Sequence, residues 1–170
     1  MPLITLGLGL AVAEAIENST DLACDLRWPN DVLISDRKVA GILAQLTDSC
    51  VIAGIGINVN QTSFPGTLRT PATSLLMESN GKMQAREPIA VRLLASVDMF
   101  CEMLVKQGPE SILRAFSAAS SYASNRRVVV EESGRRGLTA GLDRNGFLLV
   151  KYDTGSVERI AAGSVRPDYA

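Results

Sequence analysis

Three short apolar segments separated by polar turn formers restrict the fold of this chain more than any other feature. They cover residues 22–28, residues 32–34 continuing through a turn into 39–46, and residues 51–59. A Pro-Asn-Asp sequence at 29–31 and a Thr-Asp-Ser sequence at 47–49 separate them, and because these residue types favour tight turns, the pattern predicts an antiparallel meander. The uncharged run 51–57 predicts a central strand covered by helices, and its two glycines predict a close approach to the backbone.

Two apolar stretches with helical character flank this meander. Residues 6–16 are small and apolar, and polar residues at 18–20 end the stretch, so we expect a helix packed against the sheet. The apolar start of the sequence, residues 1–13, is too short to span a membrane and lacks the basic residues of a signal peptide. Apolar residues recur at helical spacing between residues 87 and 108, which predicts a long amphipathic helix, and a second helix is predicted over residues 109–119.

The composition of the chain changes after Tyr122. Short β-type segments then alternate with glycine-containing turns, among them the Asn-Gly pair at 145–146. This regular spacing predicts a small barrel of four or five strands. We therefore expect an α+β chain with two domains, a domain of helices and sheet over residues 1–122 and a small barrel over residues 123–170.

The charge balance and the absence of histidine exclude several classes of function. The 170 residues include 17 basic and 18 acidic side chains, so bulk electrostatic attraction to nucleic acid is not expected. Without histidine, Ser-His-Asp and Cys-His nucleophile pairs are excluded, and without a Cys-x-x-Cys spacing a structural zinc site is not expected. Cys24, Cys50 and Cys101 are widely spaced in apolar surroundings, which predicts reduced thiols in a cytoplasmic protein.

Unusual residue types are concentrated between Trp28 and Asp31. On the residues alone, Trp28 fills the core, and Asn30 or Asp31 caps backbone donors of a turn. Arg37 and Lys38 follow at the opposite end of the predicted hairpin turn, and such a pair in a turn is most often solvated.

A Gly-x-Gly sequence stands at Gly54 and Gly56. It lacks the third glycine and the strand–turn–helix context of a dinucleotide-binding fingerprint. It fits a tightly packed strand. It also fits a floor on which a flat ligand lies against the backbone, while the Asn58 amide offers a donor and an acceptor to a base edge. The residues alone leave both interpretations open.

Considered together, these segments resemble the biotin–protein ligase family. The resemblance rests on ordered motifs, namely Arg-Trp-Pro-Asn-Asp at 27–31, Arg-Lys-Val-Ala-Gly-Ile-Leu at 37–43, Gly-Ile-Gly-Ile-Asn-Val-Asn at 54–60, Phe-Pro at 64–65 with Ala-Thr-Ser-Leu at 72–75, and Gly-Ser-Val-Arg at 163–166. It implies a partial biotin/lipoate ligase-like mixed sheet with packed helices, followed by an SH3-like β-barrel. Lipoate–protein ligases share the broader fold, but the motifs look closer to the biotin branch.

Members of this family join biotin to ATP, which gives biotinyl-5′-adenylate and pyrophosphate, and then pass the biotinyl group to a lysine of a biotin carboxyl carrier domain. The resemblance therefore implies biotin and ATP as substrates and Mg²⁺ as the metal. It assigns to Lys38 the contact with biotin and with the activated carboxylate and phosphate, where a fixed ammonium stabilises developing charge. Asp31 would orient or deprotonate the incoming amine or help to hold Mg²⁺, and the sequence does not separate these roles.

The resemblance also assigns residues to the biotin pocket. Gly41, Ile42 and Leu43 would line it with backbone groups and apolar side chains. Gly54 and Gly56 would form the floor of the ligand cleft.

Five further binding residues follow from the same resemblance. Trp28 would pack near the adenine or the valeryl chain, Asn58 would read adenine, and Arg166 would reach the nucleotide from the barrel. Asn30 and Arg37 belong to the same motifs and complete the expected set.

One departure from the family pattern limits these expectations. Family catalytic domains carry a biotin-binding stretch and an arginine- and glycine-rich loop upstream of the Trp-Pro-Asn-Asp segment, and the resemblance here begins after both. We therefore expect a partial ligase without a DNA-binding helix-turn-helix, acting on the carrier domain of acetyl-CoA carboxylase and open to forming a homodimer. The alternative is a non-catalytic ligand-binding or interaction module that descends from a ligase.

Overall fold

The computed structural model describes residues 2–168. Its elements are α1 (Pro2–Thr20), β1 (Asp25–Arg27), β2 (Asp31–Ile34), β3 (Arg37–Leu46), β4 (Val51–Ile57), α2 (Leu75–Glu78), α3 (Arg86–Gln107), α4 (Pro109–Ala119), β5 (Ser124–Val130), β6 (Arg136–Leu142), β7 (Leu148–Tyr152), β8 (Val157–Ile160) and β9 (Val165–Pro167). The predicted α+β class is confirmed, because the strands form two antiparallel sheets that pack with helices.

The first sheet is the predicted antiparallel meander, in the order β1-β2-β3-β4. Ser35 and Asp36 make the two-residue turn between β2 and β3, and both have positive φ, 51° and 59°. Such a turn matches the twist of the strands that it joins. β3 then pairs with β4 from Ala40 opposite Ile57 to Leu46 opposite Val51. These turns fix the register that positions the candidate site.

A helical layer packs on this sheet. Residues 6–16 of α1 are almost all buried, and a helix that is apolar on all sides is normally an enclosed one. α1 packs against the sheet and against α3 and α4. As predicted, α3 ends at Gly108, which has φ of 79°, and α4 begins at Pro109. Within residues 2–168, no helix is both long enough and apolar enough to cross a membrane.

The prediction that residues 51–57 form a central, doubly covered strand is wrong for the part of the chain that the structure describes. β4 lies at the edge of its sheet, with β3 as its one neighbour, and Ile52 is 61% exposed. A Cβ at Gly56 would meet nothing within 4 Å, and one at Gly54 would meet only the Leu43 carbonyl oxygen at 3.9 Å. The apolar run alone could not predict whether a second strand pairs with β4. Such a strand would come from a part of the sequence far from residues 51–57.

The second sheet contains β5 to β9 in the order β8-β7-β6-β5-β9, with every pair antiparallel. The predicted short strands and their glycine turns are present, and Gly146 and Gly155 have φ of 84° and 86°. β8 and β9 each pair with a single strand among the described residues. A closed barrel is therefore not found there, and the division at residues 122 and 123 stays a prediction.

Hydrogen bonds connect the first sheet to residues around the start of the second sheet and to its turn at Gly146. The Trp28 indole Nε1 donates to the Gly146 carbonyl oxygen at 3.0 Å, and Ser120 Oγ donates to the Leu26 carbonyl oxygen at 2.5 Å. The Tyr122 hydroxyl donates to Asp36 Oδ1 at 3.1 Å, and Arg126 donates to the same oxygen at 3.2 Å. The motif around Trp28 is thereby fixed to residues more than 90 positions away.

The sequence suggested apolar surroundings for all three cysteines, but two of them are exposed. Cys24 is partly buried, and burial, followed by the charges of Glu17 and Asp25, raises its pKa to about 12. Cys50 and Cys101 are exposed. Cys50 lies directly before an edge strand and Cys101 lies on α3, so apolar neighbours in the sequence did not mean burial.

Candidate functional site

A β-bulge turns Lys38 toward Asp31. Asp31 lies opposite Gly41 and Val32 opposite Ala40, but Leu33 lies opposite Lys38, so Val39 is an extra residue in β3. A bulge of this kind moves the side chains beyond it to the other face of the strand. Lys38 therefore shares a face with Asp31 and Gly41, which strict alternation along the strand would not allow.

The Asp31 carboxylate lies between two cations. Its Oδ1 pairs with the Lys38 ammonium, and its Oδ2 accepts a hydrogen bond from Arg27 Nη2 at 2.5 Å. Arg27 is only 4% exposed and Asp31 9%, whereas the Lys38 side chain is 37% exposed. The buried pair thus anchors one end of the cluster, and the lysine reaches from it into open space.

Gly41 provides the space in which Lys38 lies. A Cβ at this position would be 2.9 Å from both Lys38 Cε and Nζ. Atoms cannot remain so close, so any side chain at position 41 would displace the ammonium or be displaced by it. The glycine of the Ala-Gly-Ile-Leu sequence is therefore explained by the path of a neighbouring lysine.

The segment before α2 runs beside the backbone of Lys38. The Lys38 N–H donates to the Pro71 carbonyl oxygen at 2.8 Å, and the Lys38 carbonyl oxygen accepts from Thr73 N–H at 2.9 Å. The Asn58 side-chain amide donates to the Thr73 carbonyl oxygen at 3.0 Å. Arg27 also reaches this segment, because its Nη2 donates to Thr70 Oγ1 at 2.9 Å. The loop therefore forms a wall that is tied to the lysine on its backbone side.

Two cavities meet at Lys38. The larger has a volume of about 680 Å³, and its wall includes Lys38, Gly41, Gly56, Asn58, Phe64 and Arg69. The smaller has a volume of about 460 Å³ and is lined by Asn30, Lys38, Gly41, Ile42, Leu43, Gly54, Ile55 and Gly56. The ammonium therefore stands where a ligand in one cavity would face a ligand in the other.

A third cavity, of about 430 Å³, connects the second sheet to this region. Arg166 and Glu131 belong to its lining, together with Arg69 of the loop before α2. Arg69 also lines the larger of the two cavities at Lys38. Cationic groups therefore border the space from Lys38 past Arg69 to Arg166.

Most of the residues predicted from sequence line these cavities, but Trp28, Asp31 and Arg37 do not. Trp28 is 2% exposed and packs in the core, where its indole bonds to Gly146, and its contact with adenine or the valeryl chain stays a prediction. Arg37 lines none of the three cavities, and its guanidinium pairs with Glu78 at 2.7 Å. The burial of Trp28 fits the interpretation that it fills the core, because a distant turn covers the indole.

Asn30 and Asn58 border the cavities with amide donors that are already engaged. Asn30 Nδ2 donates to the Ile42 carbonyl oxygen at 2.7 Å, which ties the Pro-Asn-Asp turn to β3. Asn58 Nδ2 holds Thr73, as described above. In both side chains, the amide oxygen is available to accept a hydrogen bond from a ligand.

Sequence reasoning missed Arg27 and Arg69. Arg27 stands in the quoted motif, but its role depends on the side chain turning back to Asp31, four residues later. A charged residue next to a buried tryptophan was the available signal, because a buried charge needs a partner. Arg69 lies in an irregular loop, and nothing in the local pattern places it near Lys38.

The described residues do not fit a magnesium site centred on Asp31. Both of its oxygens already bind cationic side chains. No cluster of three or more Asp, Glu, Cys or His groups that could hold a metal occurs in the part of the chain that the structure covers. The predicted coordination of Mg²⁺ by Asp31 thus disagrees with the geometry, and no chemical step is assigned to it.

The chain is similar in sequence to known ligases. A model of the biotin/lipoate A/B protein ligase family matches residues 1–61. The bifunctional ligase/repressor BirA of Bacillus spizizenii is 33% identical over 161 residues, which are 91% of this chain and 50% of that protein. The biotin–[acetyl-CoA-carboxylase] ligase of Mycobacterium tuberculosis is 32% identical over 168 residues, 95% of this chain and 61% of that protein.

Solved structures support the same relationship. The crystal structure of the biotin protein ligase from Aquifex aeolicus superimposes with a TM-score of 0.88 at 28% identity, over 99% of this chain and 76% of that one. The same ligase in complex with biotin and ATP gives a TM-score of 0.85 at 29% identity, over 99% of this chain and 72% of that one. The chain nevertheless spans only about half the length of the BirA proteins that it matches.

Proposed function

Since this chain is homologous to biotin protein ligases over nearly all of its length, we propose that it provides the lysine-bearing part of such a ligase. The reaction joins biotin to ATP, releases pyrophosphate, and transfers the biotinyl group from the adenylate to a lysine of a biotin carboxyl carrier domain. The observation that carries this proposal is the position of the Lys38 ammonium, held by Asp31 where two cavities meet.

The smaller cavity suits biotin. Ile42 and Leu43 offer apolar side chains, and Gly54 and Gly56 leave the backbone open to a ring that lies flat on the strand. A biotin placed here with its carboxylate toward Lys38 would present an oxygen to the larger cavity. The amide oxygen of Asn30 lies on the same wall and offers an acceptor to a ligand N–H.

The larger cavity suits the nucleotide. With the α-phosphate near Lys38, the biotin carboxylate oxygen attacks the α-phosphorus, a P–O bond to pyrophosphate breaks, and a mixed anhydride forms. A fixed ammonium stabilises the charge that develops on the phosphoryl oxygens, and it does so without reorganisation at the moment of reaction. The adenine lies toward Asn58, whose amide oxygen would accept from the exocyclic amine, and Arg69 and Arg166 border the side on which pyrophosphate leaves.

Asp31 acts in this proposal as a positioning residue. It fixes the Lys38 ammonium with one oxygen, while its other oxygen is held by the buried Arg27 guanidinium. In the transfer step, the carrier lysine amine attacks the carbonyl carbon of the anhydride, and AMP departs. Lys38 then lies beside the phosphate that leaves.

We further propose that the second sheet forms the SH3-like domain of a ligase. The carrier domain would be that of acetyl-CoA carboxylase, and the reaction would occur in the cytoplasm. The three free thiols are compatible with that compartment. The proposal includes a homodimer of the ligase.

The test is biotin transfer to a carrier domain, measured with ATP and biotin. The chain is assayed alone and co-expressed with the part of the Aquifex aeolicus ligase that the superposition does not cover. We expect transfer by the assembly and its loss in Lys38→Ala, whereas Lys106→Ala, at an exposed lysine on α3, retains it. Absence of transfer by a folded assembly, or full transfer by Lys38→Ala, would contradict the proposal.

A non-catalytic binding module is the second candidate. It is favoured by the open floor at Gly54 and Gly56, which no other described residue covers closely. Calorimetry with biotin and with ATP separates the two functions. Binding by the folded assembly without any transfer would support the module, and Lys38→Ala would then weaken binding without affecting a reaction.

A further inference from the structure

The surroundings of the Asn58 side-chain amide permit only one of its two orientations. Its Nδ2 donates to the Thr73 carbonyl oxygen at 3.0 Å and to the Lys38 carbonyl oxygen at 3.5 Å. An amide oxygen in the same place would face two carbonyl oxygens, and none of these atoms can donate a hydrogen bond. Asn58 also lines the larger cavity at Lys38. A ligand in that cavity therefore meets the amide oxygen, which accepts hydrogen bonds.

The main chain of Asn58 is fixed as well. Its N–H donates to the Val39 carbonyl oxygen at 2.8 Å, and its carbonyl oxygen accepts from the Leu75 N–H at 2.9 Å. One partner belongs to β3 and the other to the first residue of α2. With the backbone held on both sides, the direction of the amide depends on the carbonyl groups that face its Nδ2. The shorter of these two contacts is the one to Thr73.

Thr73 is fully buried, and a carboxylate holds its side chain. Its relative exposure is 0%, and its Oγ1 donates to Glu78 Oε1 at 2.5 Å. The Glu78 side chain is itself only 8% exposed. Removal of either partner would leave a buried polar group without a hydrogen bond, which costs more than the bond itself contributes. The position of Thr73 is thus coupled to that of Glu78.

Arg37 holds Glu78 in turn. Its Nη2 lies 2.7 Å from the Glu78 Oε1 oxygen that Thr73 also contacts. Arg37 precedes Lys38 in β3, and Lys38 forms a parallel bridge with Ala72, directly before Thr73. Glu78 therefore joins two segments that run side by side at the larger cavity. Arg37, Thr73 and Glu78 themselves line none of the cavities described above, so they act on a ligand only through other residues.

We propose that Glu78 is a positioning residue that selects the nucleobase in the larger cavity. Its carboxylate fixes Thr73, and the Thr73 carbonyl turns the Asn58 amide so that its oxygen meets the base. That oxygen accepts a hydrogen bond from an exocyclic amine, such as adenine carries. A base with a carbonyl oxygen at the same position, such as hypoxanthine, would place two acceptors against each other and leave both unpaired. The cluster thus favours ATP over inosine triphosphate.

This proposal deepens the proposed function, on which it rests for the nucleotide in the larger cavity. It also gives a role to two sequence features that the cavities leave unexplained. Arg37 belongs to the Arg-Lys-Val-Ala-Gly-Ile-Leu motif and Thr73 to the Ala-Thr-Ser-Leu motif, yet neither residue lines a cavity at the site. Their common partner Glu78 connects both motifs to Asn58.

The first measurement needs no nucleotide. In the isotope-labelled full chain, NMR follows the side-chain amide of Asn58, whose two protons are assigned by their absence in Asn58→Ala. We expect one of these protons to be hydrogen-bonded, with a downfield shift and slow exchange with water. In Glu78→Ala, we expect the downfield shift to disappear and exchange to accelerate. Glu78→Gln should restore both, because its amide oxygen still accepts from the Thr73 hydroxyl.

The second measurement is nucleobase selectivity. Biotin transfer by the complemented ligase assembly is measured with ATP and with inosine triphosphate. We expect kcat/KM to favour ATP by about tenfold or more, as for one hydrogen bond made or left unpaired. In Glu78→Ala, we expect this ratio to approach one, mainly through a higher KM for ATP. The KM for biotin should change little, because the pair of Lys38 and Asp31 does not involve Glu78.

Matched variants separate selectivity from general damage. Glu102→Ala removes an acid on α3 that pairs with Lys106 at the same distance of 2.7 Å, and it should leave the ATP preference unchanged. Thr73→Val removes the hydroxyl but keeps the shape of the side chain, so it tests the same bond where Glu78→Ala does not fold. In Asn58→Ala, a further Glu78→Ala change should not alter the ratio, because Glu78 acts only through the amide.

Three results would overturn the proposal. One is an Asn58 amide that is identical in the wild type, Glu78→Ala and Thr73→Val. Another is an unchanged ATP preference in folded Glu78→Ala, and the third is a wild type that transfers biotin equally well with both nucleotides. Absence of transfer by the wild-type assembly with either nucleotide would contradict the proposed function instead, and the amide resonances would still decide whether Glu78 holds the amide.

Discussion

Arg27 and Asp31 form an ion pair of 2.5 Å in which both side chains are buried. The same carboxylate holds Lys38, whose side chain is substantially exposed. A buried pair and a half-exposed pair thus share one acidic group. We expect the two interactions to contribute to stability by very different amounts, although both involve the same carboxylate.

The first prediction concerns that difference. Asp31→Asn leaves the Arg27 guanidinium buried without a counter-charge, which costs about 3–5 kcal/mol of unfolding free energy. Lys38→Met removes only the exposed partner, and its effect should stay within about 1 kcal/mol. Urea denaturation with linear extrapolation measures both values. Equal losses in the two variants would show that the buried pair does not anchor the cluster.

The second prediction concerns Gly41. Gly41→Ala brings a methyl group against Lys38 Cε and Nζ, so the ammonium moves while the backbone of β3 stays in place. In the complemented ligase assembly, we expect transfer to fall on the order of 10²-fold, as for an active group misplaced by about 1 Å. Gly66→Ala, where a Cβ would meet nothing within 4 Å, is the control. Unchanged transfer in Gly41→Ala would exclude a requirement for this lysine position.

The third prediction concerns the loop wall that Arg27 supports. Arg27 Nη2 contacts both Asp31 and Thr70, so Thr70→Val removes one acceptor from a buried cation. We expect a loss of about 1–3 kcal/mol. In a double-mutant cycle with Arg27→Met, the losses should be non-additive by at least about 0.5 kcal/mol, as is usual for residues in one network. Strict additivity would mean that this hydrogen bond contributes nothing to the wall.

The fourth prediction concerns alkaline pH. Burial, followed by the charge of Asp36, raises the pKa of Tyr122 from 10.0 to about 12. The folded protein therefore holds the phenol proton more tightly than the unfolded chain. This contribution to stability is complete below pH 10 and is lost as the pH rises to about 12.

Tyr122→Phe should be less stable at neutral pH, because the hydrogen bond to Asp36 is lost. Its stability should however fall less steeply between pH 10 and 12 than that of the wild type. Urea titrations of both proteins across this range measure the difference, in which the contribution of Cys24 cancels. Parallel curves would be inconsistent with a perturbed Tyr122.

Local sequence patterns predicted the elements well where one segment decides the outcome. The Gly108-Pro109 junction ends one helix and starts the next, and the turn formers around Asn30 and Asp48 separate the strands of the meander. The position of β4 at an edge could not be predicted, because it depends on which strands lie beside it. The contact of Trp28 with Gly146 joins residues 118 positions apart, and no local pattern records such a contact.

The candidate site was likewise predictable only where its features do not depend on pairing between strands. The resemblance predicted Lys38, Gly41 and several of the residues that line the two cavities. The bulge at Val39 that turns Lys38 toward Asp31 is a property of pairing between strands, and the sequence of β3 alone does not contain it. Arg27 was missed because its partner is defined by a side-chain direction rather than by a spacing.

The hydrogen bond between Trp28 and Gly146 has a practical consequence. Trp28 is the single tryptophan among the 170 residues, and its indole lies between the motif that leads to Lys38 and a turn of the second sheet. Intrinsic indole fluorescence therefore reports from this junction. Separation of the two sheets would hydrate the ring and shift its emission to longer wavelength, so a fluorimeter can follow their docking without any attached dye.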